Sequence, residues 1–176
     1  LCTFSRVMKE KGIEDAVNAV KEVNEQAGRV VYTLDIYGQV ESGETEWFEN
    51  LKNSFPEYVK YKGKVGYDES TEVLKNYFVL LFPTRFYTEG VPGTIIDAYA
   101  AGIPVISARW ESFSDIVDDG ITGFGYETGD VSGLARQLVA MAEDPETLNK
   151  MKSDCLKKSR DFTPQSALKN LIGNLI

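Results

Sequence analysis

The sequence predicts an α/β fold, a Rossmann-like, doubly wound parallel sheet with helices on both faces. Strand-like and helix-like segments alternate along the 176 residues, and that alternation places strands in parallel behind crossover helices. Phe78-Val79-Leu80-Leu81-Phe82 is apolar throughout and is stopped by Pro83, as expected of a central strand covered on both faces. Pro92 then opens a helix with Gly102 just beyond its end, following the usual asymmetry of Pro at helix starts and Gly at helix stops.

The elements follow in order. Leu1 to Phe4 is a strand, and a helix runs from about Gly12 to Ala27, with Ile13, Ala16, Val17, Val20 and Val23 at helical spacing and Glu14 and Asp15 in its first turn. Val30 to Tyr37 is a strand stopped by Gly38; Glu46 to Ser54 is a helix; Val59 to Lys62 is a short strand. Asp68 caps a helix running to about Asn76, and the strand at Phe78–Phe82 and the helix Pro92–Ala101 follow. Ile103 to Ile106 is a strand, Phe113 to Val117 a short helix, Asp118-Asp119-Gly120 a turn, and Gly123 to Tyr126 a last strand. Asp130 caps a helix to about Glu143, and helices over Pro145–Arg160 and Pro164–Leu175 close the chain. Trp47 and Phe48 are expected to face the core.

Composition narrows function. With 43% hydrophobic and 26% charged residues the chain reads as an ordinary globular domain. No apolar run approaches a membrane-spanning helix of about 20 residues. The net charge of −8 argues against nucleic acid as a partner, because phosphate-backbone binding needs a basic footprint. An anionic ligand must then be held by a few local cations and helix N-termini. There is no histidine, which removes Ser–His and Cys–His chemistry and most catalytic zinc sites. Cys2 and Cys155 lack CxxC spacing and read as reduced thiols of a cytoplasmic protein, a disulfide being the alternative. The start, Leu1 to Arg6, is too short and polar for a signal peptide and reads as a strand already under way, so upstream sequence is expected.

In a doubly wound sheet, ligands sit beyond the carboxyl ends of the strands, and two segments there carry chemistry. In Phe82 to Ile106 a buried strand ends, a loop containing Glu89-Gly90-Val91-Pro92-Gly93-Thr94 follows, and a helix begins whose free N–H groups suit phosphate. Gly90 and Gly93 allow close approach to the backbone, while Glu89 and Asp97 are spaced to grip hydroxyls at two ends of a sugar nucleotide. A plain strand–loop–helix connection, with Glu89 solvated and Asp97 on the surface, fits the same spacing. In Ser5 to Gly12, Arg6 and Lys11 supply cations suited to a pyrophosphate; a solvated basic loop is the alternative. The aromatic loop Arg85-Phe86-Tyr87-Thr88 either covers a ligand, touches another domain or packs locally, and Trp110 either lines the cleft or packs inside.

Taken together, these segments resemble the C-terminal domain of the retaining glycosyltransferases of family 4, which have the two-domain GT-B architecture. Ser5-Arg6-Val7 with Lys11-Gly12 matches that family's G-R-L…K-G pattern, and Glu89-Gly90-Val91-Pro92 with Asp97-Ala98 matches its E-x7-E loop-helix, Asp replacing the last Glu. Ala101-Gly102-Ile103-Pro104-Val105-Ile106 and Ile116 to Gly123 are similar too. The resemblance implies that residues 1–176 form the donor-binding half of a two-domain enzyme. That enzyme would move sugar from a UDP- or GDP-sugar to an acceptor in polysaccharide or glycolipid biosynthesis, without metal or other cofactor. Arg6 and Lys11 would neutralise the diphosphate, and Glu89 would contact the sugar. Gly93 and Thr94 would meet phosphate, Asp97 the ribose, and the region of Lys64-Val65 the base. The acceptor site, and any peripheral membrane contact, would belong to an absent N-terminal domain, so this fragment alone would be inactive. A nucleotide-sugar 2-epimerase half and a non-catalytic nucleotide-binding domain are the alternatives.

Overall fold

The computed structural model describes residues 1–66, 68–166 and 168. The strands are β1 (Cys2–Phe4), β2 (Leu34–Tyr37), β3 (Val59–Gly63), β4 (Leu80–Phe82), β5 (Val105–Ala108) and β6 (Gly123–Tyr126). They form one six-stranded sheet in the order β3-β2-β1-β4-β5-β6, every neighbouring pair parallel. The order reverses between β1 and β4, which opens a crevice beyond their carboxyl ends. The helices are α1 (Ile13–Ala27), α2 (Thr45–Asn53), α3 (Ser70–Leu74), α4 (Gly93–Ala100), α5 (Phe113–Ile116), α6 (Val131–Glu143) and α7 (Pro145–Lys158). The doubly wound α/β fold read from the sequence is the fold of the chain.

Two apolar clusters cover the two sheet faces. Leu81 and Ile106 pack with Ile13, Val17 and Val20 of α1 and with Leu134 and Leu138 of α6. Leu80, Phe82 and Val105 pack on the opposite side with Ile95, Ala98 and Tyr99 of α4. The alternation along β4 and β5 is the period of 2 of a strand, and each fully buried Leu or Ile contributes about 1.5–3 kcal/mol. Phe48 is fully buried and Trp47 packs against the core from a partly buried position. Both cysteines are free and buried, and burial pushes each thiol up to about 12, so they are protonated packing groups.

The structure corrects several expected boundaries. Val30 to Thr33 do not join β2, because the Asn24 carbonyl oxygen accepts from the N–H groups of Val31 and Tyr32 while its amide donates to the Tyr32 carbonyl. A buried side chain thus takes the donors that a strand ladder would use. Asp68 is not the cap of α3: a turn from the Gly66 carbonyl to the Glu69 N–H carries the chain on, Glu69 is the N-cap, and the helix ends at Leu74. Pro92 is the N-cap of α4 rather than part of its first turn. Asp130 does cap α6, accepting from the Gly133 N–H at 2.8 Å. The expected helix over 164–175 lies for the most part outside the described residues.

Candidate functional site

The crevice is built from the exits of β1 and β4. After β1 the chain is stitched to the exit of β2, Val7 N–H donating to Gln39 and Glu41 N–H to Val7. A short 3-10 turn, Lys9–Lys11, follows, and Gly12 adopts φ 65° as the N-cap of α1. A β-carbon at Gly12 would overlap the Pro83 carbonyl, so only glycine lets this turn sit against the end of β4. The seating brings Lys11 to Glu89. Lys11 Nζ donates to Glu89 Oε2 at 2.5 Å, and the two side chains are only 13% and 15% exposed. Thr84 Oγ1 donates to the same oxygen at 3.0 Å, and among the described residues Oε1 has no hydrogen-bond partner.

The loop carrying Glu89 is tied to the start of α1. Arg85 N–H donates to the Glu10 carbonyl at 2.8 Å. The Arg85 guanidinium grips the Asp15 carboxylate with two hydrogen bonds, Nε to Oδ2 at 2.9 Å and Nη2 to Oδ1 at 2.5 Å. That carboxylate holds the guanidinium above its ordinary range. Phe86, Tyr87 and Val91 of the same loop are exposed, while the loop is held locally through Arg85 and through the Glu111 N–H donating to the Tyr87 carbonyl. Trp110 behaves oppositely. It is buried edge-on against Phe82 and Phe113 and does not line the crevice.

At the start of α4 no side chain caps the helix, and among the described residues the N–H groups of Gly93 and Thr94 meet no acceptor. The Thr94 hydroxyl oxygen is buried without a partner. Gly90 and Gly93 have ordinary φ, and a β-carbon at either would meet nothing within 4 Å. Neither backbone conformation nor packing therefore demands glycine there, and open space lies beside the helix terminus. Asp97, one turn on, accepts from Ser70 Oγ of α3 at 2.6 Å. Beyond Ser70, an open cleft is lined by Lys64, Val65, Asp68, Glu69, Glu72 and Val73.

Of the residues expected to act together, Lys11 and Glu89 are in direct contact. Arg6 is not with them: it is 64% exposed and ion-paired to Glu41 at 2.8 Å. Sequence reasoning missed Thr84, Ser70 and the Arg85–Asp15 pair. Asp15 was visible only as an acidic residue in a first helical turn, yet it is 2% exposed. Among the described residues no group of three or more His, Cys, Asp or Glu gathers to hold a metal, and no helix is long and apolar enough to cross a membrane.

Residues 1–144 match the family Glycosyl transferases group 1. The chain belongs to that family. Among curated group 1 relatives it is 24% identical over 152 residues to the amylovoran biosynthesis glycosyltransferase AmsK of Erwinia amylovora, covering 81% of this chain and 36% of AmsK. It is 26% identical over 143 residues to the capsular polysaccharide biosynthesis glycosyltransferase CapM of Staphylococcus aureus, covering 79% of this chain and 35% of CapM. Among solved structures, Anabaena HepE in complex with UDP superposes with a TM-score of 0.86 at 19% identity, over 99% of this chain and 47% of HepE; HepE is also known with UDP-glucose. This group 1 chain thus spans less than half the length of each of these relatives.

Proposed function

We propose that residues 1–176 are the donor-binding, C-terminal half of a two-domain GT-B enzyme of the retaining family 4 type, which transfers sugar from a nucleoside-diphosphate sugar. The observation that carries the reading is the largely buried Lys11–Glu89 pair lying in the crevice of the sheet. Beside it, the uncapped α4 terminus and the unpartnered Thr94 hydroxyl offer phosphate oxygens three donors. Lys11 and Arg6 neutralise the diphosphate, and Glu89 Oε1 accepts from hydroxyls of the sugar. Gly90, Val91, Pro92 and Gly93 keep the approach open, Asp97 with Ser70 reads the ribose, and the Lys64–Val65 cleft takes the base. As the bond from the anomeric carbon to the diphosphate breaks, charge grows on the leaving oxygens. Fixed cations and helix dipoles stabilise that charge where it develops, which is why we propose turnover without a divalent metal.

The acceptor face, and any membrane contact, are assigned to the other half of the enzyme, and this chain alone is proposed not to transfer sugar. UDP and UDP-glucose in the HepE complexes make UDP the first nucleotide to try, with GDP the second. The CapM relative points the acceptor toward polysaccharide. Calorimetry of UDP and GDP against this chain, with and without EDTA, tests the reading. Binding of one of them unchanged by EDTA is expected; binding that appears only with added magnesium or manganese would overturn the metal-free mechanism. Failure of both to bind would favour a non-catalytic domain.

A further inference from the structure

We infer that Arg85 and Asp15 form a positioning clamp that holds Glu89 in register with Lys11, and thereby sets how tightly the donor's sugar, rather than its nucleoside diphosphate, is held. The inference rests on the donor-site reading above. Lys11 and Asp15 stand one helical turn apart across the start of α1, and Arg85 and Glu89 have the same spacing in the loop after β4. The facing charges are opposite at both points: Lys11 meets Glu89, and Asp15 meets Arg85. Sliding the loop by that spacing would oppose Lys11 to Arg85 or Asp15 to Glu89, like against like, so the arrangement admits one register.

The two pairs are not equivalent. Asp15 is 2% exposed while the Arg85 side chain is 46% exposed. A buried carboxylate needs its partner, and the two-pronged guanidinium geometry fixes direction as well as distance. The Arg85 N–H to Glu10 bond extends the same seam. When a donor diphosphate draws on Lys11, the Lys11–Glu89 contact weakens, and the Arg85–Asp15 fork remains to keep the loop in place. Arg85 touches no donor atom in this scheme and acts through Glu89.

The test compares wild type with Arg85→Lys, which keeps the charge opposite Asp15 and loses the fork, and with Arg85→Gln as the stronger change. Two readouts are taken on this chain: amide hydrogen exchange, and calorimetric affinity for UDP, UDP-glucose, GDP and GDP-mannose. In Arg85→Lys the amides of Arg85, Phe86 and Glu89 are expected to exchange about tenfold faster with those of β1 and β5 unchanged. The preference for a nucleotide sugar over its own diphosphate is expected to fall about tenfold, with diphosphate affinity kept within about twofold. Unchanged exchange in the loop, an unchanged preference, or equal loss of both affinities would overturn the clamp while leaving the donor site standing. A wild type that prefers neither sugar over its diphosphate overturns the Glu89 assignment itself, and the clamp falls with it.

Discussion

Arg6 and Lys11 leave the same end of the sheet, and the fold treats them in opposite ways. Lys11 is sunk against Glu89, between the rings of Phe82 and Phe86 at 5.9 and 6.0 Å. Arg6 lies out in solvent on Glu41. An exposed ion pair of the second kind contributes about 0–1 kcal/mol and is easily exchanged. The first is built into the packing. One half of the proposed phosphate site is therefore assembled before any ligand arrives, and the other half is an exposed cation that must leave a weak partner to join it.

The largest expected effect comes from the glycine that seats the Lys11 turn. Gly12→Ala places a β-carbon on the Pro83 carbonyl at φ 65°, and a cost of about 3 kcal/mol or more is expected in urea unfolding. A cost below about 1 kcal/mol would mean that the turn relaxes freely and that Lys11 is not preassembled. Next, Lys11→Ala leaves Glu89 without its cation and should cost about 2 kcal/mol of stability, whereas Arg6→Ala should stay within about 0.5 kcal/mol. Arg6→Ala should nonetheless lower affinity for the nucleoside diphosphate by about 1.5–3 kcal/mol, the range for hydrogen bonds to charged groups. Equal destabilisation by the two changes, or full UDP and GDP affinity without Arg6, would dissolve the contrast.

The smallest effect belongs to Asp97. Because Ser70 already occupies one of its oxygens, a ribonucleotide should be preferred over its 2′-deoxy form by about 1–2 kcal/mol, water recovering part of any lost contact. Titrating UDP and 2′-deoxy-UDP, or the GDP pair, into wild type and Asp97→Ala checks this. The preference should vanish in the variant; if it survives, the ribose is read elsewhere.

How much of this was legible follows from how local each signal is. The apolar run of β4, the helical spacing in α1 and the Asp130 cap are short-range patterns and they emerged, although β4 begins at Leu80 rather than at Phe78. The strand boundary at Val30–Thr33 failed because Asn24, a helix residue, intercepts the backbone donors. Trp110 stayed open between cleft and interior, because residue type alone does not say on which side of a strand end a ring turns; the structure takes the interior. The Arg85–Asp15 fork joins residues 70 apart, and no spacing rule connects them. Glu89 and Lys11, 78 apart, were each visible in their own loop, and only a family pattern joined them in one site.

The strand order has one more consequence, for the path by which the crevice comes into being. Its first strand lies at the centre of the sheet, with Cys2 opposite Asp35 on one side and Leu80 on the other. The second pairing closes a loop through all of α1, β2, α2, β3 and α3, and mixed topologies with such distant pairings fold slowly. Lys11 and Glu89 meet across that same seam, so a partly folded chain with β2 docked and β4 undocked has no site at all. Loop-closure entropy grows only logarithmically, about 0.6 kcal/mol for each doubling of length. The stretch between α2 and β3 can therefore lengthen at little cost to the seam, which leaves its surface open to change while the crevice stays as it is.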